Sequence, residues 1–335
     1  MISHFKAVIV MKGYNVLVTS IGGDLGKAVC KALQVSKYNI NIVGTDCKHY
    51  EPYPLFCDEF HVIPRADAPD YLHFIRRYAD MHTIDLIYIC SEQELFYMRE
   101  HFDTINDNLR AKIVMHPAPI IDLCRDKLKT TAFLKEKSLP YAPAARYDAT
   151  QPIDRQLENF TLPLIVKKTV GCGSKNVYVI NKIEDFNDIR DLDPSYMLQT
   201  YICGTEYTNA VYGDYLTRNL YVMTLERVLK DGMSYETKVV FDTQIEVLCK
   251  EIAKKLDIRG SINIQLRKQD GHAPVVFEIN PRYSSTSFIR AQFGFNDVLF
   301  AFENLVLNKP IAEPEIITGS AYRYITEFYK FDEVK

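Results

Sequence analysis

From Asn15 onward, short apolar runs alternate with amphipathic stretches. Asn15–Thr19 (NVLVT) leads into a glycine turn, a helical pattern over Ala28–Val35 and a second apolar run at Ile40–Asp46. Helical spacing returns at Tyr71–Met81, followed by an apolar run at Ile84–Cys90, a helix near Glu94–His101 and another run at Ala111–Met115. Apolar strands alternating with helices predict a parallel α/β sheet covered on both faces. This first domain is expected to end near Pro117–Asp122.

A helical pattern then covers Asp126–Lys137 and stops before Leu139-Pro140, because a residue preceding proline disfavours the helical region. Beyond it the texture changes to short β runs (LPLIVKK, NVYVI, YMLQTY, EYTNAVYGDY, LYVMTLERV) separated by Gly or Asp turns, with one helix-like stretch at Ile183–Leu192. A long helix (Gln244–Leu256), strands at Ser261–Lys268 and Pro274–Asn280 and a helix at Asn296–Leu307 follow, and residues after Pro310 read as a covering tail. This second half is α+β.

The chemistry concentrates in SINIQLRKQDGHAPVVFEINPR. Asp270-Gly271 between two alternating runs predicts a hairpin. A register symmetric about Gly271–His272 sets Gln265 opposite Glu278 and Asn263 opposite Asn280, all four on one face. Ile262, Ile264, Leu266, Val275, Phe277 and Ile279 fall on the other. One carboxylate flanked by amide oxygens suits magnesium, a hard ion that shares its shell with water and phosphates. Pro281 stops the strand and helps aim Arg282, a side chain suited to bidentate phosphate contact. In LPLIVKKTVGCGSKNVYVI, a strand ends at Lys167-Lys168 before a turn containing Gly171 and Gly173. Glycines let backbone N–H groups approach phosphate, and Lys167 adds a point charge.

In combination these segments resemble the ATP-grasp superfamily, in the branch of the carbamoyl phosphate synthetase large subunit and related carboxylate–amine ligases. Four segments match in order. They are Asp126-Lys127 with Thr130 and Phe133-Leu134-Lys135; Ile165-Val166-Lys167 with Gly171-Cys172-Gly173-Ser174; Gln199 through Tyr207; and Asn263-Ile264-Gln265 with Phe277 through Arg282. The resemblance implies a Rossmann-like preATP-grasp domain (1–117), a small grasp lobe (118–193), a large lobe with the Mg-ATP site (194–312) and a tail (313–335). It further implies ATP and Mg²⁺ as cofactors, with Mn²⁺ as a substitute ion. Gln265, Glu278 and Asn280 would hold the metal; Lys127, Lys167, Gly171, Gly173 and Ser174 would meet phosphates; Gln199, Thr200, Tyr201 and Ile202 would meet adenine, and Glu206 the ribose. Lys167 and Arg282 would be catalytic. Arg227 would hold a substrate carboxylate, with Gly22 and Gly23 helping to form a substrate cleft. The implied reaction activates a carboxylate as an acyl phosphate and joins it to an amine. A phosphotransferase stopping at a phosphorylated product would use the same machinery. Thr200 stands where many relatives carry Glu, and Ser284–Ser287 lacks the further Arg found in carbamoyl phosphate synthetase.

A rival lies at Leu17–Gly26, which resembles a nucleotide-sugar epimerase or short-chain dehydrogenase opening, with Asp46 placed as a ribose-binding acid. The Tyr-x-x-x-Lys pair such an enzyme needs occurs only at Tyr178 and Lys182, in and after a β run. Composition trims the field further. Over 335 residues, 40 Lys+Arg against 43 Asp+Glu give a net charge of −3, which argues against a nucleic-acid binder. No run reaches the roughly 20 apolar residues of a membrane span. Eight singly placed cysteines suit reduced thiols in the cytoplasm, and scattered histidines make no zinc site legible. The expected partners are small-molecule carboxylate and amine substrates, with no nucleic acid and no membrane; a homodimer is compatible.

Overall fold

The change in texture near residue 115 is a change of folding unit: Met1–Val114 and Met115–Lys335 each pack on themselves. The computed structural model describes residues 13–101, 109–171, 176–189 and 191–331.

The first unit contains β1 (Tyr14–Val18), α1 (Asp24–Gln34), β2 (Ile40–Asp46), β3 (Glu59–Val62), α2 (Tyr71–Met81), β4 (Leu86–Tyr88), α3 (Glu92–Glu100) and β5 (Lys112–Val114). Its strands form one parallel sheet in the order β3-β2-β1-β4-β5. Every expected strand forms. β3 was not anticipated, because an edge strand reading EFHV is half-exposed and shows no apolar run. Helix α1 begins at Asp24, four residues earlier than its apolar pattern, since an acid in the first turn complements the positive end of the helix dipole. Its Gly26 touches the preceding turn: a Cβ there would lie 2.5 Å from the Ser20 carbonyl oxygen.

The second unit opens with α4 (Ala118–Arg125) and α5 (Lys127–Glu136). A small antiparallel sheet, ordered β6-β9-β7-β8, is built from β6 (Ala144–Arg146), β7 (Leu164–Lys168), β8 (Val177–Ile180) and β9 (Tyr196–Thr200), with the one-turn α6 (Ile153–Gln156) between β6 and β7. A larger antiparallel sheet, β14-β13-β10-β11-β12-β15, combines β10 (Thr205–Gly213), β11 (Leu220–Lys230), β12 (Met233–Val240), β13 (Gly260–Lys268), β14 (Val275–Asn280) and β15 (Ser320–Tyr322). Between its strands lie α7 (Thr243–Leu256), α8 (Ser287–Gln292) and α9 (Asp297–Leu305).

Helix α7 shows why the large sheet folds. Ile245, Leu248, Cys249, Ile252, Ala253 and Leu256 repeat at helical spacing and pack on Ile262, Ile264, Leu266 and Ile279. Each large aliphatic side chain so buried contributes about 1.5–3 kcal/mol. The Asp242 carboxylate caps the helix by accepting the N–H groups of Gln244 and Ile245 at 3.0 and 3.1 Å. The small sheet has its own core of Leu164, Val166, Ile180, Ile189, Tyr196 and Leu198.

Two expectations need correction. The helix over Ile183–Leu192 shrinks to a 3₁₀ turn at Ile183–Asp188, where Asp185 draws the N–H groups of Asn181 and Lys182 into a local loop. The tail is only partly a cover. β15 pairs with β12 and Ile311 is buried, yet Tyr324, Ile325 and Phe331 stand in solvent.

Candidate active site

The β13–β14 ladder pairs Asn263 with Asn280 and Gln265 with Glu278, the register expected from the sequence. One step further, a bulge between Gln265 and Leu266 shifts the pairing so that Leu266 meets Val276. A bulge inserts one residue and re-aims its neighbours. Val276 therefore enters the core, and Val275 and Phe277, assigned to the dry face above, stay only half-buried. The Phe277 ring instead lies 5.6 Å from Lys167 Nζ.

Glu278 is the focus of positive charge. Burial alone would raise its carboxyl, but Lys127, Lys167, a hydrogen bond from Asn280 and Arg282 together hold it below the usual carboxylate range. Asn280 Nδ2 donates to Glu278 Oε1 at 3.1 Å. Lys127, the first residue of α5, is buried and donates from Nζ to the Gly171 carbonyl at 2.8 Å. Lys167 is the penultimate residue of β7 and is 6% exposed. Burial and the Lys127 charge pull its ammonium down to about 8 against the opposing pull of Glu278 and Glu206. Arg282 Nη1 donates to the Tyr283 carbonyl at 2.9 Å. Gly173 and Ser174 of the glycine loop lie outside the described residues.

The segment expected to meet adenine joins the two sheets. Gln199 is buried mid-strand between Ala144 and Ile165, and the Thr200 N–H is taken by the Pro143 carbonyl at 2.8 Å. The connection from β9 to β10 is thus only Tyr201–Gly204. Gly204 has φ +106°, and a Cβ there would meet the Lys268 carbonyl oxygen at 2.3 Å, so no other residue fits this crossing without displacing backbone. Arg267 fixes the segment, donating from Nη1 to Tyr201 Oη at 2.9 Å and lying over the Tyr201 ring at 5.1 Å.

Glu206 and Arg227 form a row that the sequence reading missed. Glu206 faces Arg267 in the β10–β13 ladder and stands one step past Tyr207–Glu226 toward Arg227 on β11. Arg227 donates to Glu206 Oε1 from Nε (3.0 Å) and Nη2 (2.6 Å); Arg267 donates to Oε2 from Nε (3.2 Å) and Nη2 (2.7 Å). Two bonds on each oxygen fill the carboxylate. A ribose diol reaching Glu206 would have to compete with these guanidinium groups for the carboxylate. Arg227, with its side chain 10% exposed, makes these bonds from inside the sheet. It also donates from Nη2 to Gln265 Oε1 at 3.0 Å, so a metal at that oxygen would confront an arginine. The overlooked signal was alternation: Arg267 is two residues from Gln265, hence on the same face.

The Ser-rich run after Arg282 also has a purpose not legible beforehand. It folds around Arg290, which is 1% exposed, with Ser284 Oγ and Thr286 Oγ1 accepting from Nη1 and Ser287 Oγ and Asp297 Oδ2 accepting from Nη2. This cage anchors the chain that carries Arg282.

In the first unit, Gly22 N–H donates to Asp46 Oδ2 at 2.9 Å, and a Cβ on Gly22 would lie 2.9 Å from that oxygen. The acid of the dehydrogenase reading is thus spent closing its own turn, with Gly23 N–H on the Ser20 carbonyl at 3.0 Å. Tyr178 lies on β8 and Lys182 beyond it, so the pair shares no helix.

Against known proteins, residues 16–109 match a family described as PylC-like, N-terminal domain, and residues 124–286 match the ATP-grasp domain. The chain has the ATP-grasp fold. Its ATP-grasp match contains Lys127, Lys167, Glu206, Gln265, Glu278, Asn280 and Arg282. Carbamoyl phosphate synthase large chain of Clostridium acetobutylicum is 26% identical over 184 residues, half of this chain and 17% of that protein's length. Among solved structures, N5-carboxyaminoimidazole synthetase from Staphylococcus aureus complexed with ADP is 18% identical with a TM-score of 0.72, covering 92% of this chain and 81% of its own. L-amino acid ligase from Bacillus licheniformis is 15% identical with a TM-score of 0.68, covering 90% and 75%. At these identities the likeness is one of ATP-grasp fold. No helix among the described residues is long and apolar enough to cross a membrane.

Proposed function

We propose that the chain is a Mg²⁺- and ATP-dependent ligase that activates a small-molecule carboxylate as an acyl phosphate and joins it to an amine, releasing ADP and phosphate. The observation that carries this reading is one carboxylate, Glu278, facing Lys127, Lys167 and Arg282. Phosphoryl transfer asks for positioning and charge neutralisation, and this grouping supplies both. In the donor set, Glu278 and Asn280 offer hard oxygens, which suit Mg²⁺, and Mg²⁺ would neutralise phosphate charge there.

Lys127, Lys167 and Arg282 bind the phosphate oxygens and offset their charge. A substrate carboxylate oxygen attacks the γ-phosphorus as its bond to the bridging oxygen breaks and ADP leaves. The amine nitrogen then bonds the acyl carbon, the acyl–oxygen bond breaks, phosphate departs and the ammonium proton passes to water. The test is a phosphate- and ADP-release screen over amino acids and small carboxylates, with mass spectrometry of products. Amine-dependent release with a condensed product is expected; release that never depends on an amine would assign a phosphotransferase instead.

The same grouping makes nucleotide binding pH-dependent. A free lysine titrates near 10.4, whereas folded Lys167 titrates near 8. Between these values the unfolded chain binds more protons, so Lys167 favours folding increasingly as pH rises through that window. The charge available for phosphate moves the other way, present below pH 8 and lost above it. ADP affinity, measured by calorimetry from pH 7 to 9.5, is expected to fall by up to about tenfold per pH unit above 8. Lys167→Arg should remove this limb, and an identical limb in that variant would exclude Lys167 as its source.

A further inference from the structure

Histidines that are scattered in the sequence are brought together in the first unit. Glu59 and His61 are two residues apart on β3, hence on one face of the sheet's edge strand, and His82 follows the last residue of α2. One ligand atom from each of the three lies within 4.8 Å of the others. The His61 and His82 rings are 5.3 Å apart, and Glu59 Oε2 is 3.7 Å from His61 Nε2.

These rings are held from behind. Tyr78, 7% exposed, stacks on His82 with centroids 4.1 Å apart and meets His61 edge-on at 5.3 Å. Its buried hydroxyl has no hydrogen-bond partner among the described residues. An exposed histidine–glutamate pair by itself would contribute about 0–1 kcal/mol and needs no such support. Two imidazoles braced on one buried aromatic, with a carboxylate beside them, make a convergent ligand set.

We propose that Glu59, His61 and His82 form a binding site for a zinc-class divalent ion on the first unit. Zinc binds imidazole nitrogen and carboxylate oxygen at about 2.0–2.2 Å, which puts tetrahedral ligand atoms about 3.4 Å apart. Closing from the observed spacing takes a shift of about 1 Å or less per ligand, available to the exposed Glu59 side chain. Three protein ligands leave one position for water. Magnesium is excluded by chemistry, since it seldom accepts imidazole. An ion here would clip the edge strand β3 to the end of α2.

The test titrates the metal-free full chain with Co²⁺, then displaces it with Zn²⁺. The expected result is one Co²⁺ per chain with visible d–d absorption, bleached by Zn²⁺, and no thiolate charge-transfer band. A thiolate band would assign the ion to cysteine, for instance exposed Cys47 or Cys203, and overturn the proposal. So would absence of binding up to millimolar ion. His61→Ala and His82→Ala should each weaken Co²⁺ at least tenfold, while Glu278→Ala leaves it unchanged. Because losing His82 removes a stacked ring, Glu59→Gln, a change at an exposed position, serves as the gentler variant. Unaltered affinity in both Glu59→Gln and His61→Ala overturns the assignment.

Discussion

Glu278→Gln is expected to lower nucleotide turnover by at least about 10²–10³-fold, the usual cost of losing one preorganised electrostatic contact to a developing charge. The substitution keeps shape and one oxygen acceptor but deletes the charge that Lys127, Lys167 and Arg282 surround. A second readout follows from the same geometry. Glu278 holds the Lys167 ammonium up against burial and Lys127, so without its charge the Lys167 titration should drop below about 8. Steady-state ADP release gives the first effect and the pH dependence of ADP binding gives the second. Normal turnover sinks the assignment of Glu278 to the phosphate site; lost turnover with an unmoved pH limb separates Glu278 from Lys167.

Much of this site was legible because strands alternate. Asn263, Gln265, Glu278 and Asn280 share a face for the reason any residues two apart do, and Asp270-Gly271 located the turn. The bulge beside Gln265 was not legible. It leaves no mark in residue type, yet it decides that Val276 rather than Phe277 enters the core. Roles that depend on partners far along the chain were harder still. Glu206, Arg227 and Arg267 are ordinary charges in sequence, and only the order β11-β10-β13 makes them a row. Ser284–Ser287 read as a run lacking an arginine, and nothing in it announced that its hydroxyls surround Arg290 of α8. β3 hid because an edge strand carries polar residues, and with it hid the proximity of His61 to His82.

Glu206→Ala is expected to destabilise the second unit by about 3–5 kcal/mol, the cost of removing one partner from a buried ion pair. The pair with Arg227 is nearly enclosed, with side chains 10% and 11% exposed, and Arg267 is 25% exposed. That exposure lets water solvate part of the freed Arg267 charge and favours the lower end of the range. Two guanidiniums left facing across β10 would also repel each other. By comparison, the pair Arg65–Asp67 stands in solvent, where screening leaves an ion pair little to contribute. Thermal unfolding should show the transition falling by on the order of 10 °C. Pairing Glu206→Leu with Arg227→Met should recover part of the loss, because an apolar pair needs no compensation. A ribose-binding Glu206 makes the opposite forecast. The native chain would then discriminate ATP from 2′-deoxy-ATP, and Glu206→Ala would abolish that discrimination at unchanged melting temperature. Such a result would return Glu206 to the nucleotide. A large loss of stability with discrimination intact would establish it as the carboxylate that joins three strands beneath the nucleotide site.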